Sequence, residues 1–436
     1  MSVSVRGTYE PLTSVEVCAG AGGQAIGLHQ AGFRHLALLE IDKYACATLK
    51  ANVGDDGRWA GCQVLEKDLK DFVSDDPLAA LGEPGKKVVG RPLKKGELDL
   101  LAGGVPCPPF SVAGQRLGRD DERDLFPDML RLVKEFHPRA VLIENVRGIL
   151  DQKFDGYRAE ITSELVRMGY LVCGWRLLEA RDYGVPQLRP RSVLIALRED
   201  IMADVEKFPW PVGTGGKRAD LFEILQPEMA RRRDVLLKKF PSRAAEIKTA
   251  YVKWEKKAEA TARIAPTLVG GSKKHGGADL GPNRAKKSWA VFGVNALGVA
   301  NEPEDVQDLA RDFLRPEGPM LTVRQAAGVQ SFPDHWKFSG GKTAKYRQVG
   351  NAFPPPVANA LGRAIAAVLR PELKEELLDG LEVDYVGIHR EEPAYVQAEI
   401  GEDMRIEVGE VPADLTVSVA AAPASDQGDD LVCARF

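Results

Sequence analysis

A single cysteine occupies the most unusual loop of the sequence. Residues 103–111 read GGVPCPPFS, so Cys107 stands among two glycines and three prolines, directly after the apolar run 98–102. Proline cannot continue the interior of a strand or helix, and glycine permits unusual backbone angles, so the pattern predicts a rigid loop after a strand. In open α/β sheets ligands bind at that edge. Cys107 is therefore either a reactive thiol or a structural cysteine in a tight turn.

Charged residues follow two other predicted strands. Glu144 comes directly after the buried run 140–143, which predicts it at the same sheet edge as Cys107. A carboxylate in that position is uncommon unless it is used, although a structural ion pair is the alternative. Arg189 and Arg191 are two residues apart, so in an extended chain they project to one face. They either bind a base carbonyl or phosphate, or protect an exposed edge strand from aggregation.

The start of the chain has the pattern of a nucleotide-binding unit. A β-prone run, 14–18, opens into the glycine-rich turn 19–23, and the segment 24–31 is predicted to be a helix. The glycines allow close approach of a ligand, and the helix N-terminus adds free N–H donors. Glu40 follows a strand at 36–39 and is placed to accept hydrogen bonds from ribose hydroxyls. Its alternative role is a charge at the N-terminus of a helix at 43–52.

The elements that must position these residues alternate between short apolar runs and helical segments, which is typical of an α/β sheet. Further strands are predicted at 64–65, 98–102, 140–143, 171–178 and 192–197, and further helices at 119–135, 159–168, 321–332 and 357–369. Asp68 follows the third strand, where it contacts a bound adenine or caps a helix. Thr322 is the predicted N-cap of the helix that it precedes.

Composition places the chain among soluble globular proteins. It has 436 residues, of which 44% are hydrophobic and 28% are charged, enough for two or three domains. No apolar run reaches the roughly 18 residues that a membrane helix needs, and residues 1–10 lack the pattern of a signal peptide. The six cysteines are scattered, so we expect neither disulfides nor a zinc site, and a location in the cytoplasm.

Positive charge is concentrated in one segment. Residues 231–290 contain 16 lysines and arginines against 5 acidic residues, after a predicted linker at 209–216. A basic module of this kind favours a polyanionic partner, and its alternative is a solvated helical face. The Gly/Lys-rich loop 270–277 suits the DNA backbone. After residue 371 the chain becomes acidic, and 420–430 has the composition of a disordered segment.

Taken in order, these residues resemble the motifs of the cytosine-C5 DNA methyltransferases, especially the bacterial enzymes of restriction–modification systems. The resemblance covers residues 13–369. It rests on the turn 19–23, Glu40, Pro106-Cys107, Glu144-Asn145-Val146, Gln187-x-Arg189-x-Arg191, 321–325 and Gly350-Asn351. Two positions depart from the family: Val17-Cys18 replaces the usual opening phenylalanine, and Pro108 replaces a frequent glutamine.

The resemblance implies an α/β fold in which a Rossmann-like, S-adenosylmethionine-dependent methyltransferase sheet carries a second, smaller DNA-recognition domain. We predict a catalytic domain at 11–200 and a target-recognition domain at 213–340. A return segment at 341–370 would complete the catalytic domain. The remainder, 371–436, would be a C-terminal extension that is partly disordered.

The reaction that the resemblance implies is methyl transfer from S-adenosylmethionine to C5 of a cytosine in duplex DNA, without a metal. Cys107 would attack C6 as a thiolate, which makes C5 nucleophilic. Glu144 would hydrogen-bond N3 and the exocyclic amine, so burial should raise its pKa. Arg189 would hold the base oxygen O2, and Arg191 would support Glu144 or Cys107. The target base must be flipped out of the duplex.

The residues expected to bind the cofactor come from the glycine turn, the following strands and the return segment. They are Cys18, Ala19, Gly20, Gly22, Gly23, Glu40, Ile41, Asp68, Pro106, Asn351 and Ala352. The loop 111–123 is expected to close over the flipped base, and the basic module to read the major groove and contact phosphates. The expected DNA contacts are Ser111, Gln115, Arg116, Lys273 and Lys274.

Three other functions would use some of the same residues. An RNA cytosine methyltransferase, as in the family's transfer-RNA branch, is disfavoured by the large basic insert. A DNA-binding relative without activity is disfavoured by the joint presence of Cys107, Glu144, Arg189 and Asn351. A third alternative, an NAD-dependent dehydrogenase, is supported by the glycine turn alone. We expect a monomer without an obligate protein partner, associated with the nucleoid through DNA. The recognition sequence does not follow from these residues.

Overall fold

The computed structural model describes residues 10–54, 59–74, 78–79, 90–91, 93–106, 124–202, 206–216, 219–261, 263–270 and 278–387. The strands are β1 (Leu12–Val17), β2 (Phe33–Glu40), β3 (Gln63–Glu66), β4 (Leu78–Ala79), β5 (Gly90–Arg91), β6 (Leu100–Gly103), β7 (Ala140–Val146), β8 (Tyr170–Glu179), β9 (Pro190–Arg198), β10 (Lys207–Thr214) and β11 (Leu381–Gly387). The α-helices are α1 (Gly23–Gln30), α2 (Lys43–Asn52), α3 (Phe126–Phe136), α4 (Asp155–Arg167), α5 (Leu221–Lys239), α6 (Ala244–Glu259), α7 (Asn283–Val291), α8 (Leu309–Asp312), α9 (Val323–Val329), α10 (Lys342–Asn351), α11 (Pro355–Leu369) and α12 (Lys374–Leu378).

A seven-stranded sheet of order β3-β2-β1-β6-β7-β9-β8 forms the centre of the molecule. Neighbouring strands are parallel except β9, which runs antiparallel to β7 and β8. Val17 and Gly103, the last residues of β1 and β6, lie side by side with Ile143 of β7. The strand expected at 140–143 continues to Val146, because residues 144–146 pair with β9, so Glu144 lies within the strand. The glycine turn, the loop that leads to Cys107, and Glu144 are therefore at the same edge of the sheet, and the predicted α/β arrangement is confirmed.

Helices cover both faces of this sheet. On one face, α3 and α4 pack on the apolar side chains of β1, β6 and β7. On the other face, α1 packs against α11, and Gly27 lies so close to Pro355 that any side chain at Gly27 would overlap its main chain. The helix α11 thus covers the same face of the sheet as α1. Within the described residues, no helix is long and apolar enough to span a membrane.

Two predicted helices have different bounds in the structure. The helix expected at 119–135 is α3, which begins only at Phe126; residues 119–123 lie outside the described part of the chain. The helix expected at 321–332 is the shorter α9. The prediction of Thr322 as its N-cap is confirmed, because Thr322 and Gln325 cap each other reciprocally.

The predicted linker at 209–216 is wrong. Residues 207–214 form β10, which pairs antiparallel with β11, and Trp210 is buried with its indole N–H donating to the Cys173 carbonyl at 2.9 Å. Two prolines concealed this strand from the sequence pattern, but a two-stranded ribbon tolerates residues without an N–H donor. The boundary predicted at 213 therefore falls inside β10. The extension predicted from 371 begins with ordered chain that leads to β11, and 388–436 lies outside the described residues.

The region between β10 and α10 has its own apolar core, with Trp254 and Trp289 fully buried. It begins with two long antiparallel helices, α5 and α6, which form a hairpin. The same apolar cluster includes Ala21, Ala25 and Ile26 at the start of α1. The predicted recognition region therefore packs against the glycine turn and the first turn of α1.

Candidate active site

The glycine turn connects β1 to α1 through left-handed backbone. Cys18, Gly20 and Gly22 have φ angles of 51°, 54° and 87°. Space beside Gly20 is open, whereas a side chain at Gly22 or Gly23 would press on neighbouring groups, including Trp336 and the Phe353 carbonyl. Gly20 thus leaves room for a ligand, and the other two glycines serve the packing of the turn.

Glu40 is fixed against the same turn. Its carboxylate accepts N–H bonds from Gly20 at 2.7 Å, Asp42 at 2.8 Å and Ile41 at 2.9 Å. Burial raises the pKa of Glu40, and these three donors oppose that rise. Oε1 accepts two of these bonds and Oε2 accepts one, so Oε2 keeps acceptor capacity, which suits a ribose hydroxyl. Ile41 is 65% exposed beside it, which leaves its apolar surface free for an adenine ring.

Asp68 caps a short helical turn, which is one of the two roles that the sequence left open. Its Oδ1 accepts from the Lys70 N–H at 3.0 Å, at the start of a short 3-10 turn. Its charge, with that of Glu40, also acts on Cys18, whose pKa is raised mainly by burial. Asp68 therefore lies near the cofactor turn, and its contact with adenine stays a prediction.

The loop after β6 is directed towards Glu144. Asn145 donates to the Val105 carbonyl at 2.8 Å, and the Cβ position of Gly104 lies 2.9 Å from Glu144 Oε2. Pro106 is the last residue before the part of the chain that is not described, so Cys107, with Ser111, Gln115 and Arg116, lies outside it. The loop thus reaches Pro106 with Glu144 beside its main chain.

Glu144 is paired with Arg191. The Arg191 Nε lies 2.7 Å from Glu144 Oε1, and both side chains are largely buried. The antiparallel register of β7 and β9, in which Val146 faces Arg191, brings them together. Burial raises the pKa of Glu144 although Arg191 and Arg189 lower it, so this acid holds a proton more readily than an exposed one. This direction confirms the predicted pKa shift.

Arg189 has a different position from the one that its predicted role requires. It is fully buried, and its terminal nitrogens donate to the carbonyls of Leu268 at 2.6 Å, Gly350 at 2.7 Å and Ala352 at 2.8 Å. Those nitrogens are not available to a base oxygen. We therefore correct the prediction: Arg189 ties the recognition region and the return segment to the sheet, and Arg191 is the arginine beside Glu144.

The return segment reaches the glycine turn through Ala352. Its methyl group lies 3.3 Å from the Cβ position of Gly23. Asn351 instead packs closely against Gly270 of the recognition region. Lys273 and Lys274 follow in a stretch outside the described residues. The predicted cofactor contact of Asn351 stays a prediction.

These features belong to a known family. A model of the C-5 cytosine-specific DNA methylases matches residues 12–367. The chain belongs to that family. It is a DNA cytosine-C5 methyltransferase, and its methyl donor is S-adenosylmethionine.

Individual relatives agree with this assignment. The Type II methyltransferase M.NaeI of Lentzea aerocolonigenes is 44% identical over 364 residues, which cover 83% of this chain and 76% of the relative. M.NgoMIV of Neisseria gonorrhoeae is 43% identical over 363 residues, 83% and 99% of the two chains. The solved structure of Entamoeba histolytica methyltransferase EhMeth has a TM-score of 0.51 at 15% identity, covers 84% of this chain and 100% of its own, and shows the shared fold.

Two residues of this methyltransferase site were missed in the sequence. Glu16 is fully buried in β1, bonds to the main chain of Ala25 in the first turn of α1, and its charge interacts with Glu144 and Glu40. A single acid inside an apolar strand was the signal for it. Trp336 donates its indole N–H to the Ala21 carbonyl at 2.9 Å, across 315 positions of sequence, and no local pattern indicates that contact.

The methyltransferase should lose cofactor affinity when Glu40 is replaced by glutamine. An amide cannot accept from all three N–H donors, and the ribose hydroxyls lose a charged acceptor. We expect S-adenosylmethionine to bind about tenfold more weakly, or ~1.4 kcal/mol, by calorimetry. Asp42→Asn is the matched control, because asparagine keeps the N-cap of α2 that Asp42 provides. Equal weakening in both variants would contradict the role of Glu40.

The pH profile of methylation should depend on Glu144. The protonated carboxyl is the form that can donate to N3, so turnover should fall as pH rises through the elevated pKa of Glu144. Glu144→Gln carries a permanent N–H donor. We expect it to turn over roughly tenfold more slowly but without that alkaline fall. Turnover at saturating DNA and cofactor, measured across pH for both proteins, checks this; an identical alkaline fall in both would refute it.

Proposed function

We propose that this enzyme methylates one cytosine in a specific duplex DNA site and thereby protects DNA in a restriction–modification system. The observation that carries the proposal is the buried Glu144–Arg191 pair beside the main chain of Gly104, at the sheet edge where the cofactor turn also lies. Its similarity to two Type II methyltransferases at 44% and 43% identity supports the protective role.

Three residues would act on the cytosine ring. The Cys107 thiolate adds to C6, which breaks the aromaticity and places electron density on C5. Glu144 donates its proton towards N3, and Arg191 stabilises both the carboxylate that results and the charge on O2. After methylation, a solvent water accepts the C5 proton, the electrons of the C5–H bond form the C5–C6 double bond and expel the Cys107 thiolate, and N3 returns its proton to Glu144, which restores the aromatic ring. The base must leave the duplex for this, at a cost of about a few kcal/mol.

The described residues fit S-adenosylmethionine. The space beside Gly20, the remaining acceptor capacity of Glu40 and the exposed face of Ile41 lie in one row at the ends of β1 and β2. The bound cofactor supplies an electrophilic methyl group. Glu40 would hold the ribose and Ile41 would cover the adenine, and Ala352 lies against the turn from the far end of the sequence.

DNA would be bound by two loops beyond the described residues. Ser111, Gln115 and Arg116 follow the nucleophile, where a lid over the flipped base would begin. Lys273 and Lys274 belong to the Gly/Lys loop that follows Gly270, and Gly270 itself packs against Asn351. We further propose that the enzyme acts as a monomer in the cytoplasm and associates with the nucleoid only through DNA.

Methylation assays with labelled S-adenosylmethionine test the proposal. The purified enzyme should label duplex DNA at one sequence and leave transfer RNA unlabelled. Bisulfite sequencing of DNA from cells that express it should show one modified cytosine per site, and digestion by an endonuclease that cuts that site should be blocked. Label on transfer RNA alone, or scattered label without a common sequence, would overturn it.

A further inference from the structure

In the α5–α6 hairpin, the arginines and the lysines have different surroundings. All four of its arginines are engaged within the protein: Arg231 pairs with Glu228 at 2.7 Å, Arg233 with Asp234 and Arg243 with Glu246, both at 2.8 Å, and Arg232 is buried on main-chain carbonyls. Its six lysines differ. Within the described chain, none of them pairs with a carboxylate.

Four of these lysines belong to α6: Lys248, Lys253, Lys256 and Lys257. The buried face of α6 consists of Ile247, Tyr251, Trp254 and Ala258, at helical spacing. All four lysines are exposed on the remaining surface, and the Lys253 ammonium reaches only a carbonyl, that of Pro316, at 2.9 Å. Two of the three acids of the helix are engaged, because Glu246 pairs with Arg243 and Glu255 accepts from Tyr251. The third, Glu259, is exposed at the C-terminal end, so the surface of α6 keeps four lysines against one such acid.

We call these four lysines the α6 lysine face. The C-terminal end of α6 connects this face to the active site. Just beyond the C-terminal end of α6, Ala265 pairs with Gln187, and Leu268 accepts from Arg189. The chain thus passes from the end of α6 directly to the arginine motif. Lys256 and Lys257 are the near end of the face, and Lys248 lies about 13 Å farther along the helix. That distance equals about four base pairs of duplex.

We propose that the α6 lysine face binds the phosphate backbone of DNA beside the recognition site, and so extends the enzyme's contact with DNA past the bases it reads. This rests on the proposed function, because the site anchors the duplex. Lysine is well suited to such contacts, because its ammonium is a hydrated point charge without the planar geometry with which arginine fixes one partner. Contacts of this kind position a duplex irrespective of sequence and release counterions.

Salt dependence of binding measures these contacts. Lys248→Ala/Lys256→Ala should lower the slope of log affinity against log salt by about two on a duplex with some fifteen base pairs on each side of the site. On a duplex with about three flanking base pairs the slope should be unchanged, and methylation of it should match the wild type. Lys134→Ala/Lys207→Ala, two exposed lysines on α3 and β10, is the charge-matched control.

Each outcome decides the matter. An unchanged slope on the long duplex, or an equal fall in the control pair, overturns the proposal. Loss of methylation on the short duplex also overturns it, because the lysines would then act on the site or the fold instead of the flanking DNA. If the wild type methylates no duplex, the proposed function fails, and the slopes still report whether this face binds DNA.

Discussion

Replacing Cys107 with alanine is expected to abolish methyl transfer and to leave DNA binding intact. Without a thiolate to add to C6, the C5 carbon stays a weak nucleophile in an aromatic ring, so turnover should fall by at least about 10⁴-fold. Binding of cofactor and duplex uses other groups and should change less than about threefold. Single-turnover methylation and a gel-shift titration on the same duplex measure both quantities.

The other cysteines explain why this effect should be confined to one position. Burial raises the pKa of Cys46 and of Cys62 to about 12, and it raises the pKa of Cys18 and Cys173 as well. The nucleophilic thiolate form of these four side chains is therefore disfavoured, and Cys433 lies outside the described residues. Cys62→Ala is the matched control and should retain full turnover. Methylation by the Cys107→Ala protein would refute the nucleophile assignment.

A duplex with fluorine in place of the C5 hydrogen gives an independent test of covalent addition. After thiolate attack and methylation, there is no C5 proton to leave, so the cysteine cannot depart and the protein stays bound to the base. We expect a complex that survives denaturing electrophoresis for the wild type and for Cys62→Ala. Its absence from Cys107→Ala would be consistent with the assignment, and its presence there would contradict it.

Local patterns were sufficient to predict the cofactor side of the site. A strand, a glycine turn and a helix occupy consecutive residues, and Glu40 follows at the end of the next strand, so spacing along the chain fixes their neighbourhood. In the structure the Gly20 N–H donates to Glu40, so the turn and this acid are neighbours, as the spacing predicts, while their contacts with the cofactor stay a prediction. The prediction for Asp68 also depended on its neighbours in sequence, and it left two roles open, a helix cap and a contact with adenine. The structure shows the cap.

Contacts between distant segments could not be predicted in this way. The carbonyl partners of Arg189 are 79, 161 and 163 positions away in the sequence. The neighbouring residues of Arg189 predict an extended strand with two arginines, but they do not indicate which of the two is buried. The same holds for β10, where Pro209 and Pro211 favour a linker until β11 supplies the partner strand. Long-range pairing overrode local propensity in both places.

Exchanging each arginine of the motif for methionine should separate the two roles. Arg191→Met removes the cation beside Glu144, so turnover should fall about 10²- to 10³-fold while the carboxyl becomes neutral and the fold persists. Arg189→Met leaves the carbonyls of Leu268, Gly350 and Ala352 without their donors. At about 1–3 kcal/mol for each of the three unsatisfied buried groups, the free energy of unfolding should fall by roughly 3–9 kcal/mol.

Urea unfolding and turnover, measured on both variants, distinguish this assignment from the one that the sequence favoured. If Arg189 held the base oxygen, its methionine variant would fold normally and lose turnover, and Arg191→Met would be the milder change. Lysine at position 189 adds a second criterion, because one ammonium cannot replace a planar group that spans three carbonyls. Arg189→Lys should therefore recover less than half of the stability that Arg189→Met loses. If position 189 required only a positive charge, lysine would restore the stability in full.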